Sequence, residues 1–291
     1  MAAVWRKNAW NLWHVLGALA LVALAVSAAW PAWADIAQIA RVDEEASHII
    51  LVPIVVAWLV FVRRGRIRRL RPTGQWVGVL LAGLGTALSI YGYQHGVESF
   101  WHGGAILAAV GALVSVVGSE VLMAYLPAFC VLAFLVPVPG TIRQPFALRL
   151  ESATAIVTQQ IFDVLGVAVE RSGNQLSING TPVEIAEACN GMRMVFTLIL
   201  VSYAYAFGTP LRGYVRFLVL VMCPISAIVC NVIRLVPTIY LFGQLQRDQA
   251  WLVHDIGGWV MLLIAFGMLF GVIRILQWAM LPVANFTLAY D

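Results

Sequence analysis

Eight long apolar segments account for most of this sequence, and they constrain its fold more than any other feature. Most of them approach the roughly 20 apolar residues that an α-helix needs to cross a bilayer. Only 11% of the residues are charged, against about 25% in a soluble domain, so the apolar excess cannot be buried in one soluble core. The composition therefore disfavours a secreted disulfide scaffold, a disordered chain and an ordinary cytosolic enzyme. The segments are residues 12–30, 48–62, 76–93, 105–117, 121–137, 189–207, 213–234 and 254–275.

This pattern predicts an all-α polytopic membrane protein with about eight transmembrane helices, folded as a single domain over residues 1–291. One insert, at about residues 138–188, resembles a soluble protein in composition and is expected at the outer face. Its first part, residues 143–165, predicts a helix lying at the membrane interface. The apolar residues of that helix are Phe146, Leu150, Ile161, Phe162 and Leu165.

The second part of the insert predicts a small β-ribbon just before the sixth span. Residues 167–170 and 176–178 alternate between apolar and polar side chains, which is typical of a strand with one buried face. The dipeptide Asn179-Gly180 that follows favours a tight hairpin turn. We expect this ribbon to lead the chain to Cys189.

The arginine distribution predicts the orientation in the membrane. Six of the 17 arginines lie between residues 63 and 71, in the loop between the second and third predicted spans. Short arginine-rich loops favour the cytoplasm, which also places the N-terminus and the turn near Gly118 inside. A basic loop can indicate nucleic acid, but between two apolar segments it indicates contact with anionic lipids. We expect membrane lipids and no nucleic acid as partners of this loop.

The first span has two interpretations. Arg6 and Lys7, an apolar stretch and the residues AWAD at 32–35 resemble a secretory signal peptide with its cleavage site. The apolar stretch is long for a signal peptide, so we favour an uncleaved first helix. Cleavage would leave the orientation of the other spans unchanged.

Cys189 is a candidate nucleophile, since it opens the sixth span and is expected near a helix N-terminus. Backbone N–H groups and the helix dipole there favour negative charge, which lowers the pKa of a thiol. Asn190 and Gly191 suit a turn into the helix, and Arg193 lies one turn further in. The alternative is an inert, buried cysteine.

Arg234 and His254 are the other two candidates. Arg234 lies in an otherwise apolar stretch, where an arginine costs at least about 2.5–3.5 kcal/mol to insert and usually faces a protein interior. Asn231 is on the same helix face, three residues earlier. Alternatively, Arg234 ends its helix and extends to the interface. His254 opens the last span, where a histidine is often only a polar boundary residue.

The predicted topology brings these candidates to one membrane face. The chain enters from outside at Cys189, leaves near Arg234 and re-enters at His254, so all three are expected at similar depth. A thiol, a fixed cation and an imidazole supply a nucleophile, an oxyanion stabiliser and a proton carrier for acyl transfer. His48 is expected at the same face as a supporting residue. His95 and His102 fall in predicted outer loops with no partner motif.

The chain resembles the exosortase/archaeosortase family of membrane cysteine transpeptidases. The resemblance rests on EACNGMR around Cys189, NVIR ending at Arg234 and HDIGG beginning at His254, with SHIILVP and VPVPG as supporting motifs. Asn190 departs from the commonest family form, which has serine after the cysteine, and this leaves the subfamily open.

The resemblance implies a bacterial inner-membrane enzyme with its active site on the outer face. Its substrates would be exported proteins with a C-terminal sorting signal, made of a short motif, a transmembrane helix and a basic tail. Signals of the PEP-CTERM type, often linked to exopolysaccharide production, are the usual case. Hydrolysis and transpeptidation both remain open, as does the division of roles between Arg234 and His254.

Two other classes of protein compete with the enzyme. A transporter or flippase would use Arg234 to bind an anionic lipid or polysaccharide head group, but such proteins usually have paired repeats and broken helices, neither of which is clear here. A structural scaffold would not need three reactive groups at one face. The sequence has no metal-ligand spacing and no glycine-rich phosphate loop, so we expect no metal and no organic cofactor.

Overall fold

The computed structural model of the chain describes residues 10–173, 175–178, 181–184 and 191–242, with ten further residues between 260 and 278. This part is mostly helical and contains one small sheet. Among the described residues, four helices are long and apolar enough to cross a membrane, or up to six if each of two bent pairs is one span. The protein is an integral membrane protein, and the number of eight spans stays a prediction.

The chain divides into two compact units, residues 1–139 with 289–291, and residues 140–288. The single domain with an insert at 138–188 stays a prediction. The first unit contains α1 (Leu12–Ala28), α2 (Trp30–Val42), α3 (Val52–Val62), α4 (Trp76–His95), α5 (Glu98–Val117), α6 (Ser119–Ala124) and α7 (Leu126–Cys130), with 3₁₀ segments at Glu44–Leu51, Arg64–Arg68 and Val131–Leu135.

Helices α4 and α5 form a closely packed antiparallel hairpin. Gly96 ends α4 with a positive φ of 68°, a conformation that glycine adopts without strain. Along the contact, a Cβ at Gly85 would lie 2.8 Å from the carbonyl oxygen of Gly104 and closer still to the backbone nitrogen of Ala108. Small residues therefore allow the two backbones to approach, as in many membrane helix pairs. The predicted fourth span, residues 105–117, extends back to Glu98.

One predicted span ends at a sharp bend, and another is not a continuous helix. The first predicted span, residues 12–30, is nearly all α1. The chain then bends by 79° between α1 and α2, where Pro31 lies in the first turn of α2 and suits a helix start. Within the predicted span at residues 121–137, the structure has α6, α7 and a short 3₁₀ segment in place of one helix. The runs of apolar residues in the sequence indicate the approximate length of each span but do not locate these breaks.

The arginine-rich loop is held against two other parts of the first unit. Nε1 of Trp10 donates to the carbonyls of Ile67 and Leu70, at 2.9 and 3.0 Å. The hydroxyl of Tyr125 donates to the carbonyl of Arg63 at 3.0 Å. The structure therefore gathers the start of α1, the basic loop and the α6–α7 turn at one end of this unit, as the arginine distribution requires if all three share a membrane face.

The histidines expected in outer loops are instead helical. His95 is the last residue of α4, and its Nδ1 lies 2.9 Å from the carbonyl oxygen of Tyr91. His102 lies within α5, is completely buried, and pairs with Asp35 on α2. The prediction for His102 was wrong because the fourth predicted span began at residue 105, whereas α5 begins at Glu98. Packing against α2 provides a partner, Asp35, that only the tertiary structure brings near.

In the part of the chain that the structure describes, the second unit contains an amphipathic helix, a sheet and two apolar helices. Ten further helical residues between 260 and 278, which include Ile264, Met268 and Ile273, are called the last helix below. The other elements are α8 (Gly140–Val164), β1 (Val169–Ser172), β2 (Gln175–Ile178), β3 (Thr181–Glu184), α9 (Gly191–Gly208) and α10 (Gly213–Phe242).

The sheet is a three-stranded antiparallel meander in the segment where the sequence predicts a β-ribbon. Its buried face continues the contact between α8 and α10, because one apolar cluster contains residues from all three elements. The predicted helix at residues 143–165 matches α8 closely, and its position at the membrane interface stays a prediction. The cluster consists of Ala155, Phe162, Val169, Leu176, Ile178, Leu235 and Ile239.

The face of α8 that is buried within the unit includes polar residues. Phe162 is buried there, and Phe146 and Leu165 are exposed on the surface of the unit, so the predicted contact of the apolar residues with the membrane interface stays a prediction. Thr154 and Thr158 are fully buried. Polarity alone therefore did not reveal the inner face of this helix.

Candidate active site

Helix α10 continues past the point where the sequence predicts its end. Arg234 was expected to close the helix, but α10 runs eight residues further, to Phe242, through the apolar stretch that follows. Pro237 lies inside this extension, and it removes the backbone hydrogen bond to the carbonyl of Ile233. Arg234 is therefore within the helix, and its side chain is buried, with 8% exposed. This burial does not fit an arginine that extends to water at a helix end.

Asn231 precedes Arg234 by one turn and is buried more completely, with 1% exposed. Its Nδ2 donates to Oγ1 of Thr154 on α8 at 3.2 Å. Its Oδ1 is buried and accepts no hydrogen bond from any residue that the structure describes. The α10 turn around residues 231–234 thus carries two polar side chains inside an apolar helix interface.

A second face of α10 packs on α9 and on the last helix. Cys223, Ala227 and Cys230 form a buried cluster with Leu198 of α9. Sγ of Cys230 also lies 3.6 Å from Sδ of Met268. Arg234 is four residues beyond Cys230, so it continues the same stripe of the helix.

The order of these contacts shows that α10 runs antiparallel to both neighbours. Early in α10, Val215 and Val219 pack with Ala206 near the end of α9 and with Ile273 of the last helix. Later in α10, Cys223 to Cys230 pack with residues 195–199 of α9 and with Ile264 and Met268. Toward Arg234 the contacts therefore progress to the beginning of α9 and to the earlier part of the last helix.

The other candidates are described only in part. Cys189, Asn190 and His254 lie outside the described residues, and Arg193 belongs to the first turn of α9, without a described side chain. In sequence, Cys189 is two residues before the start of α9, and His254 is six residues before Val260, the first described helical residue of the last helix.

His48 belongs to the other unit. It is buried in the 3₁₀ segment Glu44–Leu51 of the first unit, and its Nδ1 lies 3.1 Å from the carbonyl oxygen of Glu45. Arg234 and Asn231 are in the second unit. The supporting role of His48 stays a prediction.

Thr154 is a site residue that the sequence reasoning missed. Its neighbours on the buried face, Ala155, Thr158 and Phe162, follow helical spacing, and that spacing was the available indication. The helix was interpreted from its bulky apolar residues, which gave threonine no weight. The structure shows the partner, Asn231, which is 77 residues away in sequence.

The comparison with known families shows to which family the chain belongs. The model of the transmembrane exosortase family matches residues 33–271, which is well over half of the chain. The chain belongs to this exosortase family. The matched region includes Cys189, Arg234 and His254. None of the curated proteins and none of the solved structures compared with the chain matches it.

The described residues contain no group of three or more His, Cys, Asp and Glu side chains that could hold a metal ion. The expectation that this exosortase uses no metal or organic cofactor stays a prediction.

Proposed function

We propose that this exosortase is a membrane cysteine transpeptidase or protease that cleaves C-terminal sorting signals from exported proteins. The observation that carries the proposal is the family match over residues 33–271, which spans the cysteine, arginine and histidine of the predicted centre. The burial of Arg234 within α10 supports it, because an arginine inside an apolar helix usually serves a function. The face of α10 that continues to Arg234 packs against α9 and the last helix, and this packing also supports the proposal.

In the proposed first half-reaction, His254 accepts the proton of the Cys189 thiol, and the thiolate attacks the carbonyl carbon of the scissile peptide bond. A C–S bond forms, and the carbonyl electron pair moves to oxygen, where Arg234 stabilises the negative charge. When the carbonyl reforms, the C–N bond breaks. The leaving amine takes the proton from His254, and a thioester remains on Cys189.

In the second half-reaction, an acceptor amine or water loses a proton to His254 and attacks the thioester. The carbonyl reforms, the C–S bond breaks, and the Cys189 sulfur takes the proton back. Transpeptidation and hydrolysis differ only in this acceptor. Asn190, Arg193, Asn231 and His48 are proposed as supporting residues. In this proposal the reaction takes place at the outer face of the bacterial inner membrane.

Co-expression with an exported reporter tests this proposal directly. The reporter carries a PEP-CTERM-type signal, with its motif, transmembrane segment and basic tail. We expect processing with the wild-type chain and none with Cys189→Ala at equal membrane abundance. Processing by well-folded Cys189→Ala would disprove the cysteine mechanism.

Thiol labelling distinguishes the enzyme from a lipid or polysaccharide flippase. A membrane-impermeant maleimide should label Cys189 from the outer face, and Cys223→Ser provides a matched control, since Cys223 is buried within α10. Labelling that is unchanged in Cys189→Ser, or that occurs only from the cytoplasmic face, would contradict the proposed site.

A further inference from the structure

We propose that Asn231 binds the substrate backbone, and that Thr154 on α8 positions it to do so. This inference rests on the proposed peptidase function and assigns α8 a part in it. Specifically, Oδ1 of Asn231 accepts a hydrogen bond from a backbone N–H next to the scissile bond. Thr154 is a positioning residue, which acts through Asn231.

The contact between α8 and α10 is closely packed. Ala155 and Phe162 of α8 form one buried cluster with Leu235 and Ile239 of α10. Strands β1 and β2 add three further apolar residues to the same cluster. Closely packed interiors of this kind permit little side-chain movement.

A polar contact between α8 and α10 lies beside this cluster. Nδ2 of Asn231 donates to Oγ1 of Thr154 at 3.2 Å, and both side chains are buried. A carboxamide that donates from one nitrogen to a fixed acceptor has a defined orientation, so its oxygen also points in a defined direction. Thr154 therefore determines where Oδ1 of Asn231 lies.

Oδ1 of Asn231 is buried and has no hydrogen-bond donor among the residues described. Buried polar atoms without partners are uncommon in native proteins, and each requires an explanation. A bound substrate that supplies the missing donor is such an explanation, because the oxygen is oriented before the substrate arrives.

Asn231 and Arg234 together match the hydrogen-bonding groups of a peptide backbone. They are three residues apart on one helix, so their Cα atoms differ by about 4.5 Å along its axis. One offers an acceptor and the other offers N–H donors in a fixed plane. A peptide backbone presents the complementary pair, an N–H and a carbonyl oxygen. A phosphate group presents only acceptors, so it leaves Oδ1 of Asn231 unsatisfied.

The test uses the full-length protein in proteoliposomes, with a synthetic substrate made of a PEP-type motif, a transmembrane segment and a basic tail. Initial rates are measured at several substrate-to-lipid ratios. Thr154→Val should raise the apparent KM by about three- to tenfold, and Asn231→Leu by about tenfold or more, with smaller changes in kcat. Thr154→Ser keeps the hydroxyl and should restore the wild-type KM.

Thr158→Val is the matched control. Thr158 is equally buried on the same face of α8, and its hydroxyl has no partner among the described residues. This variant should keep the wild-type KM. If Thr158→Val and Thr154→Val raise KM equally, the effect comes from helix packing and the inference is overturned.

Substrate chemistry gives an independent measurement. Each amide next to the scissile bond is replaced in turn by an ester, which removes one N–H donor. One replacement should raise the KM of the wild type, and adding Asn231→Leu should then cause little further loss, as expected for two partners of one contact. Additive losses at every position would overturn the inference.

The wild type and Cys189→Ala separate this inference from the proposed function. If the wild type does not process the substrate, or if Cys189→Ala does, the proposed function fails. If both behave as expected and folded Thr154→Val has the wild-type KM, only the role of Thr154 and Asn231 is overturned. Size-exclusion profiles establish that each variant is folded, and maleimide labelling of Cys189 adds a second check for the variants that keep this cysteine.

Discussion

Nε2 of His102 lies 2.9 Å from Oδ2 of Asp35, a contact that joins α5 to α2 within the first unit. The histidine is fully buried, whereas 36% of the Asp35 side chain is exposed. Nδ1 of His102 is buried without a partner among the described residues. A neutral ring with its proton on Nε2 suits this setting, because a charged ring would bury an unpaired N–H donor.

The first prediction concerns this contact. His102→Ala should destabilise the protein by roughly 1–3 kcal/mol, since it removes the partner of Asp35 and leaves a cavity. Asp35→Asn should cost less, because an amide oxygen still accepts from Nε2. Thermal unfolding in detergent measures both changes. His95→Ala is the control, since His95 is exposed at the end of α4, and an equal loss in that variant would contradict the prediction.

The second prediction concerns the α4–α5 hairpin. A methyl group at Gly85 would meet the backbone of Ala108 and Gly104, so Gly85→Ala should separate the helices and cost about 1–3 kcal/mol. Gly83→Ala, on the same helix, meets nothing within 4 Å and should be neutral or slightly stabilising. Melting temperatures of the two variants, compared in one detergent, check this. Equal values would mean that the helices do not pack as closely as described.

The third prediction separates the roles of Arg234 and His254 in processing. Arg234→Lys keeps the charge but loses the planar set of donors, so processing should fall by about 10²–10³. Processing by His254→Ala should fall by about 10²–10⁴ and should have a changed pH profile. Processed reporter is measured per amount of folded enzyme.

Arg216→Lys provides the control for Arg234→Lys. Arg216 is near the start of α10, where its guanidinium lies 5.4 Å from the centre of the Phe207 ring. This variant should process normally. If it loses as much activity as Arg234→Lys, a general need for arginine in α10 explains the result better than oxyanion stabilisation.

The fourth prediction concerns orientation. Reporter fusions should place residue 67, in the arginine-rich loop, in the cytoplasm. Fusions at residue 175, in β2, should report the outer side. Alkaline phosphatase and fluorescent-protein activities give opposite readouts for the two sides. The same side for both positions would remove the basis for a shared outer face.

The fifth prediction concerns the substrate. A sorting signal that docks within the bilayer needs its transmembrane segment, so deleting that segment should abolish processing even when the short motif is intact. A scrambled segment of equal hydrophobicity should retain processing. Efficient cleavage of a soluble peptide with the motif alone would contradict recognition in the membrane.

Local sequence features predicted the class of this protein well. Apolar segments long enough to span a bilayer identified a helical membrane protein, because hydrophobic length alone decides whether a helix is stable in lipid. Three short motifs around Cys189, Arg234 and His254 indicated the exosortase family, and the family match over residues 33–271 confirmed this prediction. Both inferences depend on residues that are neighbours in sequence or on simple periodicity.

Only the tertiary structure decided how polar residues are paired and where helices break. Asp35 meets His102, and Thr154 meets Asn231, across 67 and 77 residues, and no local pattern encodes such contacts. The extension of α10 beyond Arg234, and so the burial of that arginine, likewise depends on what surrounds the helix. Hydropathy sums over a segment and indicates whether it is apolar enough to enter the membrane. The partner of each polar side chain depends on which helix faces pack together, and the tertiary fold determines that packing.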